Sequence, residues 1–342
     1  VAEQSAPPAP TNEMTVPDQF PTIQAAIDNT PAGQTITVRP GVYSEAVSLK
    51  DGIRLEGGDG GECRLTSTAG VPAIIFLGGV RGCSLENLVL DGSEAPANSV
   101  RTDGIAISDA EVKVTRCTVR GMSGSGIVVH GTDTAADIQE NHLENNAAHG
   151  ALILRTGGPV VLRKNEFRKN KGSGLQFDEG ANGIADDNLS EENGESGIGA
   201  TGVSTSPKLQ NNRCNANIRN GITFAGAARG SALGNTCEKN GESGLAAIGE
   251  GTAPDFLKNT ARGNTKFGIY FAGGADGEAR ENLCEENRMS GIGAANTSTR
   301  PELSGNQLAR NQEFGIDLSN GASPRIAQDN IFTSNAAGEI SR

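Results

Sequence analysis

Apolar and polar residues alternate at period two in short runs along this chain, and the runs recur at a fixed interval. Ile127 and Val129, Leu175 and Phe177, Ile222 and Phe224, and Ile269 and Phe271 each place two apolar side chains on one face of an extended segment. That is the pattern of a short β-strand. Each run opens on a glycine, and from residue 104 these glycines stand at 104, 126, 150, 174, 197, 221, 244, 268, 291 and 315. A second marker, asparagine, runs nine residues ahead of them at 141, 165, 188, 212, 235, 259, 282 and 306, and continues at 330. Each of these asparagines has another asparagine five residues on. Two markers held in phase over eight coils, with the asparagine pair continuing into a ninth, define a repeat of 23–24 residues.

The repeat is too short for paired-helix units, and the leucine scaffold of leucine-rich repeats is missing. Three short strands and three turns fill it. Stacked repeats then pair strand to identical strand in parallel, about 4.8 Å apart. The predicted fold is all-β: a single-stranded right-handed parallel β-helix of about 12–13 coils with an N-terminal capping helix. A longer period of 47 residues overlies the coil. Three residues after successive glycines stand Phe177, Ala200, Phe224, Ala247, Phe271, Ala294 and Leu318, so large and small side chains alternate up the inside of the tube. Alanine above and below a phenyl ring supplies the volume that native packing density requires. The asparagines suit the turns, because Asn tolerates left-handed backbone and its amide stacks into a ladder along the axis.

The cap lies at residues 16–34, with irregular coils over 35–103 and regular coils over 104–335. Thr22 to Asp28 reads as a short amphipathic helix with Ile23, Ala26 and Ile27 on one face. Strands follow at Thr35–Val38, near Ala46–Leu49 and at Ile53–Leu55. Residues 1–15 are Pro- and Ala-rich and read as a linker. No capping helix is predicted over Ala336–Arg342. An open edge there implies end-to-end self-association or continuation into a longer protein.

Composition narrows the partners. The 342 residues carry a net charge of −12, with mixed signs spread along the coils, which gives no basic footprint for nucleic acid. No apolar run approaches the ~20 residues needed to span a bilayer, so membrane insertion is not expected. With 47 glycines, no tryptophan and 4% aromatics, the core is thin and aliphatic. The six cysteines form no CxxC pair, which argues against a zinc or redox motif. Cys214, Cys237 and Cys284 stand two residues after a marker asparagine, where Leu143, Phe167, Leu308 and Phe332 stand in other coils, and read as small buried hydrophobes. A Cys214–Cys237 disulfide between adjacent coils is geometrically conceivable.

The run from Thr22-Ile-Gln-Ala-Ala-Ile27 through Pro40-Gly-Val-Tyr43 to Leu55-Glu-Gly57 resembles the opening of pectin-methylesterase-like and related pectate-lyase-superfamily β-helices. The coils from 104 to 335 resemble the right-handed β-helix repeats shared by carbohydrate-active enzymes, carbohydrate-binding modules and copper-loading periplasmic proteins. The resemblance implies an extended carbohydrate or other polymer as partner and an extracellular, periplasmic or cell-surface location. It is specific for fold and weak for activity, since the fold hosts several chemistries. The motif Gly-x-x-Asp-Phe-x-Phe-Gly is missing, so no catalytic residue is carried over from the esterases.

Two sets of residues are candidates for chemistry. The first is Asp109, His130, Arg155, Asp178 and Glu179, which stand four or five residues after successive glycines on four adjacent coils. A carboxylate, an imidazole and a guanidinium in one place suit proton abstraction from an acidic sugar, or metal binding. The competing reading is an ordinary polar turn edge. Asp133, His142 and His149 lie nearby in sequence. The second set is aromatic: Tyr270, predicted outward, with Phe267 and Phe314 beside neighbouring glycines, as surfaces for stacking against sugar. The rest of the outward row is Ala106, Val128, Leu152, Gln176, Gly199, Thr223, Ala246, Gly293 and Asp317, which holds no paired carboxylates. No cofactor is expected; Ca²⁺ stays open without a specific motif.

The regularity of coils 165–335 favours a non-catalytic module binding polysaccharide or another extended ligand. A polysaccharide lyase, hydrolase or epimerase acting on an acidic polymer is the alternative, and a structural or protein-binding stalk is the second. Enzymes of this fold usually break the repeat with long loops, and the only loop of note, Asp91–Asp103, is short.

Overall fold

The computed structural model describes residues 14–68, 70–94 and 100–341. Each coil gives one strand to each of three sheets. Sheet 1 holds the strands that the marker glycines open, such as Ile127–His130, Leu175–Asp178 and Ile222–Ala225. Sheet 2 holds the strands that follow, such as Ala135–Gln139, Ile184–Asp186 and Arg229–Leu233. Sheet 3 holds the three-residue strands after the marker asparagines, such as His142–Glu144, Leu189–Glu191 and Thr236–Glu238. The sheets contain 13, 14 and 13 strands, each paired in parallel with its equivalent one coil away. The result is the expected right-handed β-solenoid, of about 13 turns.

The register follows the repeat. On sheet 1, Ile107, Val129, Ile153, Phe177, Ala200, Phe224, Ala247, Phe271, Ala294 and Leu318 are successive partners, and all but the half-buried Leu318 are buried. The alternation of large and small is therefore real, and sheet 2 answers it. The facing inward residues are Ala185, Leu209, Ala232, Phe256, Ala279 and Leu303, so each coil from Phe177 to Ala294 pairs one large side chain with one alanine. Phe256 fills the gap left by Ala247. Its ring centroid lies 5.9 Å from Phe224 and 5.6 Å from Phe271, in tilted contacts. On sheet 3 the inward row places Cys214, Cys237 and Cys284 in line with Leu143, Phe167, Leu308 and Phe332. All six cysteines are buried and free, including the register partners Cys214 and Cys237.

Both columns of asparagines form buried ladders. Asn165 is typical: its Nδ2 donates to Asn188 Oδ1 at 3.0 Å and to the Ile138 carbonyl at 2.9 Å, while its Oδ1 accepts from the backbone and side-chain nitrogens of Asn141. The left-handed backbone expected of these asparagines falls instead on the residue before each of them except Asn330. Glu140, Lys164, Asp187 and Lys258 precede the first ladder and Lys169, Glu192 and Arg310 the second, with φ between 53° and 56°. The bend turns the asparagine inward, and its amide is worth more there than its tolerance of the bend. The marker glycines have a steric cause. A Cβ at Gly150 would lie 2.5 Å from the carbonyl oxygen of Gly174 and 2.8 Å from the Phe167 ring. The turn is pressed onto the core at that point, and only a residue without a side chain fits.

The cap helix spans Ile23–Asn29, with Thr22 as its N-cap accepting from the Ala25 amide at 3.1 Å. The Glu45 carboxylate accepts from the Ile23 and Gln24 amides at 2.9 and 3.0 Å. Ile23, Ala26 and Ile27 are buried over the first coil. Ahead of the helix, Met14–Val16 pairs with Thr35–Val38 as an edge strand of sheet 2. It begins inside the segment read as linker; residues 1–13 of that segment lie outside the described residues, as do 95–99 of the loop after Asp91. At the far end the last coil runs past Asn335, because Gly338–Ile340 adds a further strand to sheet 1.

Candidate functional site

The outer edge of sheet 1 brings the five titratable candidates together only as neighbours in a stack. Ser108, His130, Leu154 and Asp178 are register partners at the strand ends, and Asp109, Arg155 and Glu179 stand in the turns just beyond. Those three have left-handed backbones, with φ of 48°, 49° and 54°, so they are turn-forming residues. Asp109 Oδ1 accepts from the Asp133 amide at 3.2 Å. Asp133 in turn pairs with Arg81 at 2.5 Å. Asp178 Oδ1 accepts from the Glu179 amide at 2.7 Å. Arg155 and Glu179 pair at 2.5 Å with side chains 71% and 46% exposed, a contact that solvent weakens. His130 is exposed, 3.4 Å from the Ser108 hydroxyl.

The other histidines are not part of this edge. His142 stands on the outer face of sheet 3, 3.1 Å from Glu166 and 3.4 Å from Glu144. His149 lies in the turn ahead of sheet 1, where its Nδ1 accepts from the Ser173 amide at 3.0 Å. Burial pushes the His149 pKa down. Among the described residues no three His, Cys, Asp or Glu side chains converge as metal ligands.

The aromatic candidates divide differently. Phe267 and Tyr270 stack with centroids 4.8 Å apart and planes 4° from parallel. Phe267 is only 8% exposed, and its ring covers Gly293, where a Cβ would lie 2.6 Å from it. The register neighbours of Tyr270 are Gly293 on one side and Ala246 on the other. With Phe267 filling the Gly293 side, the remaining face of Tyr270 looks over Ala246. Phe314 sits two coils further on, half-buried, its amide donating to Ser290 Oγ at 3.1 Å, and takes no part in the stack.

On the Ala246 side the outer face of sheet 1 hollows into a groove of about 260 Å³. Its floor is a network of neutral polar groups. Gln176 lies across Gly199, accepting from Ser173 Oγ at 3.2 Å and donating to Thr201 Oγ1 at 3.1 Å. Thr223 Oγ1 is 2.9 Å from Ser196 Oγ and accepts from Asn220 Nδ2 at 3.1 Å. Glu195, Arg219 and Glu242 form the rim and Ile248 also lines the groove; Tyr270 stands outside it, one coil beyond, past the fully buried Ala246. Glu242 pairs with Lys266 at 2.8 Å; among the described residues Arg219 has no side-chain partner. The outward row alone, which contributes Gln176, Gly199 and Thr223, does not reveal this site. The column just before the marker glycines (Ser173, Ser196, Asn220) is the signal that completes it.

The family model described as "Right handed beta helix region" matches residues 103–261 and 219–341. The chain belongs to the right-handed β-helix family. Among solved structures, the A-modules of the mannuronan C-5 epimerases AlgE4 and AlgE6 from Azotobacter vinelandii are similar, each with a TM-score of 0.66. They are 19% and 17% identical over 94% of this chain, and 92% and 94% of those chains are covered. The catalytic domain of a GH87 α-1,3-glucanase variant in complex with nigerose is 14% identical over 99% of this chain and 70% of that one, with a TM-score of 0.58. At such identities the likeness is one of fold. No curated protein sequence matches.

Within this β-helix the groove offers aligned donors and acceptors, and the ring of Tyr270 stands one coil beyond it. Its hydroxyls and amides are held by one another, so their directions are set before any ligand arrives. The described helix of the chain is too short to cross a membrane.

Proposed function

We propose that this chain is a non-catalytic β-helix module that binds polysaccharide along the outer face of sheet 1. The observation that carries the reading is the polar groove leading to the backed ring of Tyr270. Sugars present hydroxyls at their edges and C–H faces above and below, and this combination meets both. The titratable edge supports binding over turnover, because its carboxylates are engaged by turn amides and by exposed ion pairs. The fold neighbours, whose names give mannuronan and α-1,3-glucan as what they act on, are in keeping with a polysaccharide ligand. An extracellular or periplasmic location goes with such a ligand.

A second reading, an enzyme acting on acidic polysaccharide through Asp109, His130, Arg155, Asp178 and Glu179, draws on the shared edge of those residues. The test is incubation with a panel of neutral and acidic polysaccharides, following products by chromatography and binding by affinity electrophoresis. Retardation without product is expected. Product that disappears in His130→Ala would establish the enzyme. Neither response, across glucans, pectin, alginate and glycosaminoglycans, would shift the reading to a structural or protein-binding stalk.

A further inference from the structure

Resting on the polysaccharide reading, we infer that the groove takes a neutral, hydroxyl-rich oligosaccharide lying along the helix axis, with one sugar ring against Tyr270. The floor residues Ser173, Gln176, Ser196, Asn220 and Thr223 each combine donor and acceptor capacity, which suits sugar hydroxyls that do the same. The rim does not suit a polyuronate. Arg219, its one unpaired cation among the described residues, is stacked between Glu195 and Glu242, and Lys266 neutralises Glu242 alone. With Lys266 counted beside Glu195, Arg219 and Glu242, the two cations and two carboxylates sum to zero, so a ligand with a carboxylate on every sugar gains no net attraction from the rim. The whole chain, at −12, also repels a polyanion at long range.

The dimensions set the size of the ligand. Gln176, Gly199, Thr223, Ala246 and Tyr270 are successive register partners. Four steps of about 4.8 Å make a path of roughly 19 Å, longer than a monosaccharide. The stacking wall is rigid because Phe267 backs it, and Phe267 has its place because residue 293 has no side chain.

The chain reports on this site with its own chromophore. It contains no tryptophan and two tyrosines, and the other, Tyr43, donates to the Arg39 carbonyl at 2.8 Å beside the N-terminal cap. Tyrosine difference absorbance is therefore measured while the protein is titrated with glucan, mannan and xylan oligosaccharides, and with alginate and polygalacturonate oligosaccharides. At least one neutral series is expected to bind and perturb the tyrosine spectrum, and the corresponding monosaccharide is expected not to compete. Tyr270→Phe should keep the affinity and lose the spectral change. Tyr270→Ala should weaken binding by about tenfold. Asn220→Ala should weaken it several-fold and also lower the unfolding midpoint, because Asn220 Oδ1 accepts from the buried Ser243 amide at 2.9 Å, whereas Tyr270→Ala should leave the midpoint near that of the parent. Binding of acidic oligosaccharides alone would overturn the neutral assignment and leave the polysaccharide reading standing. Neutral binding that ignores both Tyr270→Ala and Asn220→Ala would place the ligand elsewhere and overturn the site. No binding to any series would overturn both.

Discussion

His149 keeps its ring where a proton is unwelcome. Its Nδ1 accepts from the Ser173 amide, which only the neutral ring can do, and burial holds its pKa below the ordinary value of about 6.5. As pH falls below about 6.5 the unfolded chain takes up this proton before the folded one does, so its contribution to stability is full above that value and declines below it. His149→Asn keeps an acceptor that does not titrate. Its urea midpoint should change less between pH about 7.5 and about 5.5 than the parent's. The cysteines give a second expectation. Burial pushes Cys117 up to about 12, and the other five thiols are also buried. A thiol reagent at pH about 8 should find none of the six until the protein unfolds, since the thiolate is the reactive form. Intact mass should show no Cys214–Cys237 bond.

Ladders and rows are the elements on which most of the stability is organised. Asn235→Ala would strip acceptors from both nitrogens of Asn212 and the donor from the Leu209 carbonyl, all buried. Each such group left unpaired costs about 1–3 kcal/mol, so loss of several kcal/mol is expected in denaturant unfolding. Phe256→Ala should cost about 3–5 kcal/mol, because the neighbouring Ala247 cannot fill the space. The outer row of sheet 3 alternates in charge through Asp91, Arg120, Glu144, Arg168 and Glu191, and again through Glu238, Arg262 and Glu285. Asn215 interrupts it between Glu191 and Glu238, with its Oδ1 unpaired. Asn215→Arg should raise stability by about 0.2–1 kcal/mol, an increment that added salt diminishes. Strands, register and the Phe/Ala row were legible in the sequence because every coil restates them. The left-handed bends were misassigned because the residues that adopt them, such as Glu140 and Lys164, follow no type preference. The groove stayed hidden because its hydrogen bonds join single positions on different coils, as from Gln176 to Thr201, and no repeat average records them.

At the scale of the molecule, each coil touches little beyond the coils above and below it, so stability is close to a sum of neighbour terms. The helix Ile23–Asn29 covers one end, while Ile331 and Ile340 are exposed at the other, 56% and 37% respectively. Between these ends the pairing of one large and one small side chain per coil imposes a rule on length. Removing residues 222–268 joins Gly221 to Ile269 and sets Phe271/Ala279 above Ala200/Leu209, which restores the original sequence of contacts. Removing 222–244 alone sets Ala247/Phe256 above Ala200/Leu209, stacking two alanines on one wall and two bulky residues on the other. The first deletion should melt cooperatively near the parent by circular dichroism, and the second should unfold many degrees lower. The chain has a parity: it shortens without a fault by an even number of coils, and an odd number leaves a seam.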